Sequence, residues 1–169
     1  IMGIATMFAT GGSAIVAKKM GEGKKEEANQ NFTFLFVVLM AVGALVTIGV
    51  LVFIDPLLSF LGAIETLYTY SYDYLFTTVM FTLVTMAKLY FDFFLVTSGK
   101  ANLALINSVI GGVTNVILDY VFMGPLNMGM AGAAYATEIA MILPVILGFI
   151  YFASKKLTVC FTKPKAGIK

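Results

Sequence analysis

The chain alternates long apolar runs with short polar connections. A helix needs about 20 mainly apolar residues to cross the hydrocarbon core of a bilayer. Runs of that kind cover 32–54, 74–97, 103–123 and 131–152, and a shorter one covers 1–16. The pattern predicts an all-α membrane protein, a bundle of about five transmembrane helices. Asp55-Pro56 is expected to end the second helix, because proline disfavours helical geometry in the residue before it. Ser98-Gly99 closes the third and Gly124-Pro125 the fourth. In the outer loop, 55–73, the stretch "LLSFLGAIETLYTYSYD" starts apolar and becomes aromatic and hydroxylated. That change predicts a short interfacial helix with its tyrosines at headgroup level. No repeat or low-complexity segment interrupts the pattern, so one compact bundle is the simplest architecture.

Charge orients the bundle. The loop 17–31 carries Lys18, Lys19, Lys24 and Lys25, and Lys100 follows the third helix. The tail, 153–169, carries Lys155, Lys156, Lys163, Lys165 and Lys169. The outer loop and "GPLNMG" carry no lysine. Positive charge stays on the cytoplasmic side, so the lysine-bearing connections and the C-terminus are expected there, in a multi-pass protein of a bacterial or archaeal plasma membrane. The tail reads as a stop-transfer flank. Ile1 lies inside an apolar run without a polar flank or the charged region of a signal peptide. The sequence is therefore expected to begin inside or just before its first helix, as part of a longer protein.

Composition narrows the function classes. The chain is 60% hydrophobic with a mean hydropathy of +0.95, against about 45–50% apolar in soluble domains. A net charge of +2 argues against nucleic acid as a partner. One cysteine, Cys160, permits no internal disulfide, and the absence of histidine removes the commonest metal ligand and general base. No nucleophile–base set and no ATP-binding signature is visible. "TGGSA", 10–14, lacks the lysine and spacing of a phosphate loop and reads as close packing in a span. The expectation is a non-enzymatic membrane protein without a metal centre. The ten methionines and fifteen phenylalanines suit packing and lipid contact, and some suit a pocket for apolar ligands.

The polar residues inside the spans carry the candidate chemistry. On the fourth helix Asn107, Gly111, Asn115 and Asp119 recur at four-residue spacing, which places them on one face. Ile106, Val109, Ile110, Val113, Val116 and Ile117 occupy the other side. Ionisable residues within spans face the bundle interior or a watery cavity and often mark ion pathways. On this reading Asp119 and Asn115 offer oxygen ligands to a cation such as Na⁺, or a site for a proton. The alternative is structural: Asp119 lies about 6 Å from the helix end at 1.5 Å per residue and is hydrated at the interface. Gly111 and Gly112 permit close helix approach.

The fifth helix adds Thr137 and Glu138, the latter about 10 Å deep. Glu138 and Asp119 share the outer half. Two adjacent carboxylates would hold a proton between them, whereas a Glu138 that points elsewhere would bond to a hydroxyl. Pro144 is expected to kink this helix, as a hinge or as shape alone. Lys88 and Asp92, four apart on the third helix, read as a structural ion pair.

Two stretches resemble a known family. "GIATMFATGGSAIVAKKMGEGKKEEAN", 3–29, is similar to the end of the second helix and following loop of the multidrug and toxic compound extrusion (MATE) transporters, with a small-residue run, a Gly-x-Gly and an acidic-Ala stretch. "SGKANLALINSVIGGVTNVILDYVFMGPLNMGMAGAAYATEIA", 98–140, resembles their fourth-to-sixth helix region through "N-x-x-L-D" and "G-x-x-GAA-x-AT". The resemblance implies a twelve-helix, two-lobe transporter, with helices two to six of the first lobe represented here and the remaining lobe as partner. It implies export of cationic or amphipathic drugs in exchange for Na⁺ or H⁺, with no other cofactor. It carries the amino-lobe cation site onto Asn115, Asp119 and Thr137, whose partner acid on the first helix is absent from this sequence. Lys88 and Glu138 fall outside the family pattern, and Asn107 and Glu138 are additional candidates. Lipid flippases of the related fold, or a non-transporting structural module, are the alternative functions.

Overall fold

The computed structural model describes residues 2–60, 65–154 and 158–162, with 65–67, 70 and 130 described by their backbone alone. Among them seven helices follow one another: α1 (Met2–Gly21), α2 (Lys25–Val52), α3 (Ile54–Phe60), α4 (Glu65–Met80), α5 (Thr82–Thr97), α6 (Ala101–Met123) and α7 (Gly129–Ala153). Three of them, α2, α6 and α7, are each long and apolar enough to span a bilayer, and residues 71–80 of α4 with α5, bent by 52° at the break between them, are together long and apolar enough for a fourth.

That bend corrects the sequence reading of one helix over 74–97. The break falls at Phe81, between Met80 and Thr82. Its cause is local. The N–H of Val84 reaches back only three residues to the Phe81 carbonyl (2.9 Å), which also accepts the N–H of Thr85 (3.1 Å). The hydroxyl of Thr82 bonds to the Thr78 carbonyl at 3.2 Å, and that of Thr85 lies 3.4 Å from the Phe81 carbonyl. Hydroxyl back-bonding of this kind bends helices. The outer connection also differs from expectation. α2 ends at Val52, before Asp55-Pro56, and Pro56 lies in the first turn of α3. A proline there loses no intrahelical hydrogen bond. The tyrosine-rich stretch enters α4, which continues into the span, and Tyr68 donates to Asp55 Oδ1 at 2.6 Å. Residues 61–64, within the expected interfacial helix, lie outside the described residues.

Aromatic packing holds the bundle at the end where α1 meets α2. Phe32 of α2 contacts Tyr90, Phe94, Phe152 and Phe161, with ring centroids 4.8–5.4 Å apart. Tyr90 is fully buried, and its hydroxyl donates to the Phe32 carbonyl at 2.7 Å. Buried aromatic pairs of this geometry add about 0.5–1.5 kcal/mol each beyond the area they bury. Within "TGGSA", Gly12 serves the close contact: a Cβ there would stand 2.9 Å from Leu35, whereas Gly11 faces open space.

After α7 the chain turns back over the same end. Cys160 N–H donates to Asn29 Oδ1, and Thr162 N–H to Thr33 Oγ1, each at 3.0 Å. Phe161 enters the aromatic cluster. This segment is thus part of the core packing and not merely a flank. Lys18, Lys19, Lys24, Lys25 and Lys100 share this end. The tail residues Lys155, Lys156, Lys163, Lys165 and Lys169, like Ile1, lie outside the described residues.

Candidate functional site

The polar stripe of α6 faces α7, and these antiparallel helices pack more extensively than any other pair. Asn107, 1% exposed, donates from Nδ2 to the Pro144 carbonyl and to Asp92 Oδ1, each at 3.3 Å. One turn on, Gly111 meets the ring of Pro144 and the carbonyl of Ala140, which would stand 3.0 and 3.7 Å from an added Cβ. Pro144 has no N–H, so the Ala140 carbonyl lacks its usual helical partner. The missing side chain of Gly111 makes room for both. Gly112, expected to do the same, faces open space. Pro144 stays inside one continuous helix, Gly129–Ala153.

A turn further, Asn115 Nδ2 donates to Thr137 Oγ1 at 3.3 Å, and Thr137 donates to the Ala133 carbonyl at 3.0 Å. Asn107, Gly111 and Asn115 therefore step along Pro144, Ala140 and Thr137 in register. The next turn of α6 presents Asp119. Its Oδ1 is buried and, among the described residues, has no hydrogen-bond partner. Burying a polar atom without a partner costs about 1–3 kcal/mol, and more when the group is charged. Asp119 as a whole is half-buried, so one carboxyl oxygen is withdrawn while the residue stays accessible. The far side of α6 is open: Ile106, Val109, Val113, Val116 and Ile117 are all exposed, and Ile110 is half-buried.

The structure does not pair the carboxylates of Asp119 and Glu138. Thr137 and Glu138 are consecutive, hence about 100° apart around the helix. Thr137 is exposed and faces Asn115, whereas Glu138 is buried and accepts a hydrogen bond from Thr85 Oγ1 at 3.1 Å. Thr85 did not stand out in the sequence. It lies three residues before Lys88 on the same face of α5, but only tertiary packing supplies its partner.

Lys88 and Asp92 form an ion pair at 2.8 Å, with side chains 20% and 17% exposed. Asn107 and Ser108 of α6 join it, the Ser108 hydroxyl lying 3.5 Å from Asp92 Oδ2. The pair is thus a link between α5 and α6 as well as a link within α5. Among the described residues no group of three or more His, Cys, Asp or Glu could hold a metal ion.

Comparison with known proteins gives this geometry a context. The pattern of the MatE family matches residues 1–121. The multidrug export protein MepA of Staphylococcus haemolyticus (strain JCSC1435) is 24% identical over 161 residues, which cover 95% of this chain and 36% of that protein. A multidrug resistance MATE family transporter of the MOP superfamily in its outward-facing conformation superposes with a TM-score of 0.91 at 25% identity, over 99% of this chain and 38% of that one. An inward-facing conformation of such a transporter gives 0.89 at 25% identity, over 98% and 39%. A MOP superfamily transporter from Pyrococcus furiosus Vc1, whose binding pocket is described as having reverse polarity, gives 0.91 at 25% identity, over 99% and 38%. The chain spans little more than a third of the length of these relatives.

Proposed function

The chain belongs to the MatE family of membrane transporters, and on that basis we propose that it contributes part of the first lobe of a secondary antiporter. The complete protein would export cationic or amphipathic small molecules in exchange for Na⁺ or H⁺, with the missing lobe as partner and lipid around both. The observation that carries this reading is the orphaned, buried Oδ1 of Asp119, one helical turn from the Asn115–Thr137 hydrogen bond. A hard cation takes oxygen ligands. The carboxylate of Asp119, the side-chain carbonyl of Asn115 and the hydroxyl of Thr137 supply oxygens of the right type along the α6–α7 seam. A proton on Asp119 would satisfy the same orphaned oxygen.

Alternating access follows from rigid packing. This unit resembles outward- and inward-facing transporters almost equally, with TM-scores of 0.91 and 0.89. That supports a lobe that rocks as a body around its site instead of refolding. The lysine-bearing end, with Lys18, Lys19, Lys24, Lys25 and Lys100, would face the cytoplasm, and α7 would leave the C-terminal segment on that side. Cation binding at Asp119 would tighten the outer half of the α6–α7 seam, and its release would loosen it. Coupling arises because a substrate cation and the coupling ion favour different packings of that seam.

Competition binding tests this. In the complete protein, rising Na⁺ or falling pH should weaken the binding of a fluorescent organic cation. In Asp119→Asn that competition should vanish while the dye still binds. Loss of a charged hydrogen-bond partner costs about 1.5–3 kcal/mol, so the ion should bind about ten- to a hundredfold more weakly. Undiminished competition would remove Asp119 from the coupling site. Lost dye binding together with lost thermal stability would instead favour the structural module.

A further inference from the structure

Among the described residues Glu138 is the one buried acid that the α6 stripe does not use. It is 7% exposed near the middle of α7. Among the described residues its carboxyl group has one hydrogen-bond partner, the Thr85 hydroxyl at 3.1 Å, and no ammonium within ion-pair distance. An ionised carboxylate offers about four acceptor sites, and an interior charge is costly unless it is paired. The groups on the packed elements do not supply the pairing. On α5, Lys88 is bound to Asp92, and Tyr90 to the Phe32 carbonyl. Asp119 and Tyr120 lie on α6, and Asp73, Tyr68, Tyr72 and Tyr74 on α4. Tyr135 and Tyr151 are on α7 itself.

The partner of Glu138 is also unusual. Thr85 Oγ1 stands between the carboxyl group at 3.1 Å and the Phe81 carbonyl at 3.4 Å. A hydroxyl has one proton and can serve one acceptor at a time. Two patterns therefore fit the same heavy atoms. With an ionised Glu138, Thr85 donates to the carboxylate. With a protonated Glu138, the acid donates to Thr85 Oγ1, and Thr85 turns its own proton to the Phe81 carbonyl. Phe81 is the residue at which α4 meets α5 across the 52° bend. A threonine hydroxyl bonded to the carbonyl four residues back bends a helix.

We propose that Glu138 is a proton-binding site distinct from the Asp119 stripe, and that Thr85 transmits its protonation to the bend at Phe81. One proton passes from water to Glu138 Oε2, and only hydrogen bonds rearrange. The inference rests on the transport reading for its purpose, since it gives that transporter a proton-sensitive hinge. Its test does not depend on transport.

Infrared difference spectroscopy between acid and alkaline pH, on the complete protein in lipid vesicles, follows the carbonyl stretch of protonated carboxylic acids. The wild type should show such a band. Glu138→Gln should remove one component of that band, Asp119→Asn should leave that component in place, and Thr85→Val should shift it upward through loss of the hydrogen bond. A band unchanged in every component by Glu138→Gln overturns the site. Spin labels on α4 and α7 then report the bend. Their distance should change with pH in the wild type, stay fixed in Thr85→Val and respond again in Thr85→Ser. An undiminished pH response in Thr85→Val overturns the relay. If these outcomes hold while the protein moves no substrate, the proton site stands and the transport reading falls.

Discussion

At the residue scale, the seam between α6 and α7 depends on what each stripe position lacks as much as on what it carries. Gly111 lacks the Cβ that would stand 3.0 Å from the Pro144 ring. Gly111→Ala should therefore destabilise the protein by about 1–3 kcal/mol through overpacking. Gly112→Ala, which meets open space, should be neutral or stabilising by up to about 1 kcal/mol, the helix preference of alanine over glycine. Thermal unfolding in detergent separates the two, and equal effects would contradict the packing account. Four-residue spacing alone made Asn107, Gly111, Asn115 and Asp119 legible as one face. Spacing did not reveal which glycine faces the neighbour, because that depends on the rotation of α6 against α7. For the same reason the sequence left open whether Glu138 faces Asp119 or a hydroxyl. A helix turns about 100° per residue, so adjacent residues such as Thr137 and Glu138 serve different neighbours.

At the scale of elements, hydropathy located the long helices and missed the break at Phe81. All of 74–97 is apolar enough to look like one span, and the bend coincides with threonine hydroxyls bonded to backbone carbonyls, which a hydropathy window does not register. The effect of proline on its preceding residue placed the end of α2 at Asp55-Pro56, whereas that pair lies in the first turn of α3. The Lys88–Asp92 pair has a testable role between elements, because Asn107 of α6 donates to Asp92. Lys88→Met leaves Asp92 without its cation. Breaking a fully buried pair costs about 3–5 kcal/mol. The cost here should be smaller, since both side chains keep some exposure. The double variant Lys88→Met/Asp92→Leu should recover much of that loss. A cycle in which the two single changes simply add would show that the charges do not interact.

For the whole molecule, the alternation of lysine-bearing and lysine-free connections was readable directly from the sequence, and the described lysines outside the spans do share one end of the bundle. The return segment was not readable. Residues 158–162 belong to a lysine-bearing tail that reads as a stop-transfer flank, yet Phe161 enters the ring cluster of Phe32, Phe36 and Phe91. Phe161→Ala should cost about 3 kcal/mol, visible as a lowered melting temperature, whereas a flank would tolerate it. This packing fastens the chain beyond α7 to α2, so motion of the lobe would carry that segment with it. The central claim remains that the α6–α7 seam captures a coupling cation at Asp119 and releases it as the lobe moves. Vesicle transport by the complete protein tests it most directly: an organic cation is loaded, a Na⁺ or proton gradient is imposed, and wild type is compared with Asp119→Asn at matched protein content. Gradient-driven efflux in the wild type and efflux at the no-gradient rate in the variant is the predicted result; gradient-driven efflux of equal size in both would contradict the account.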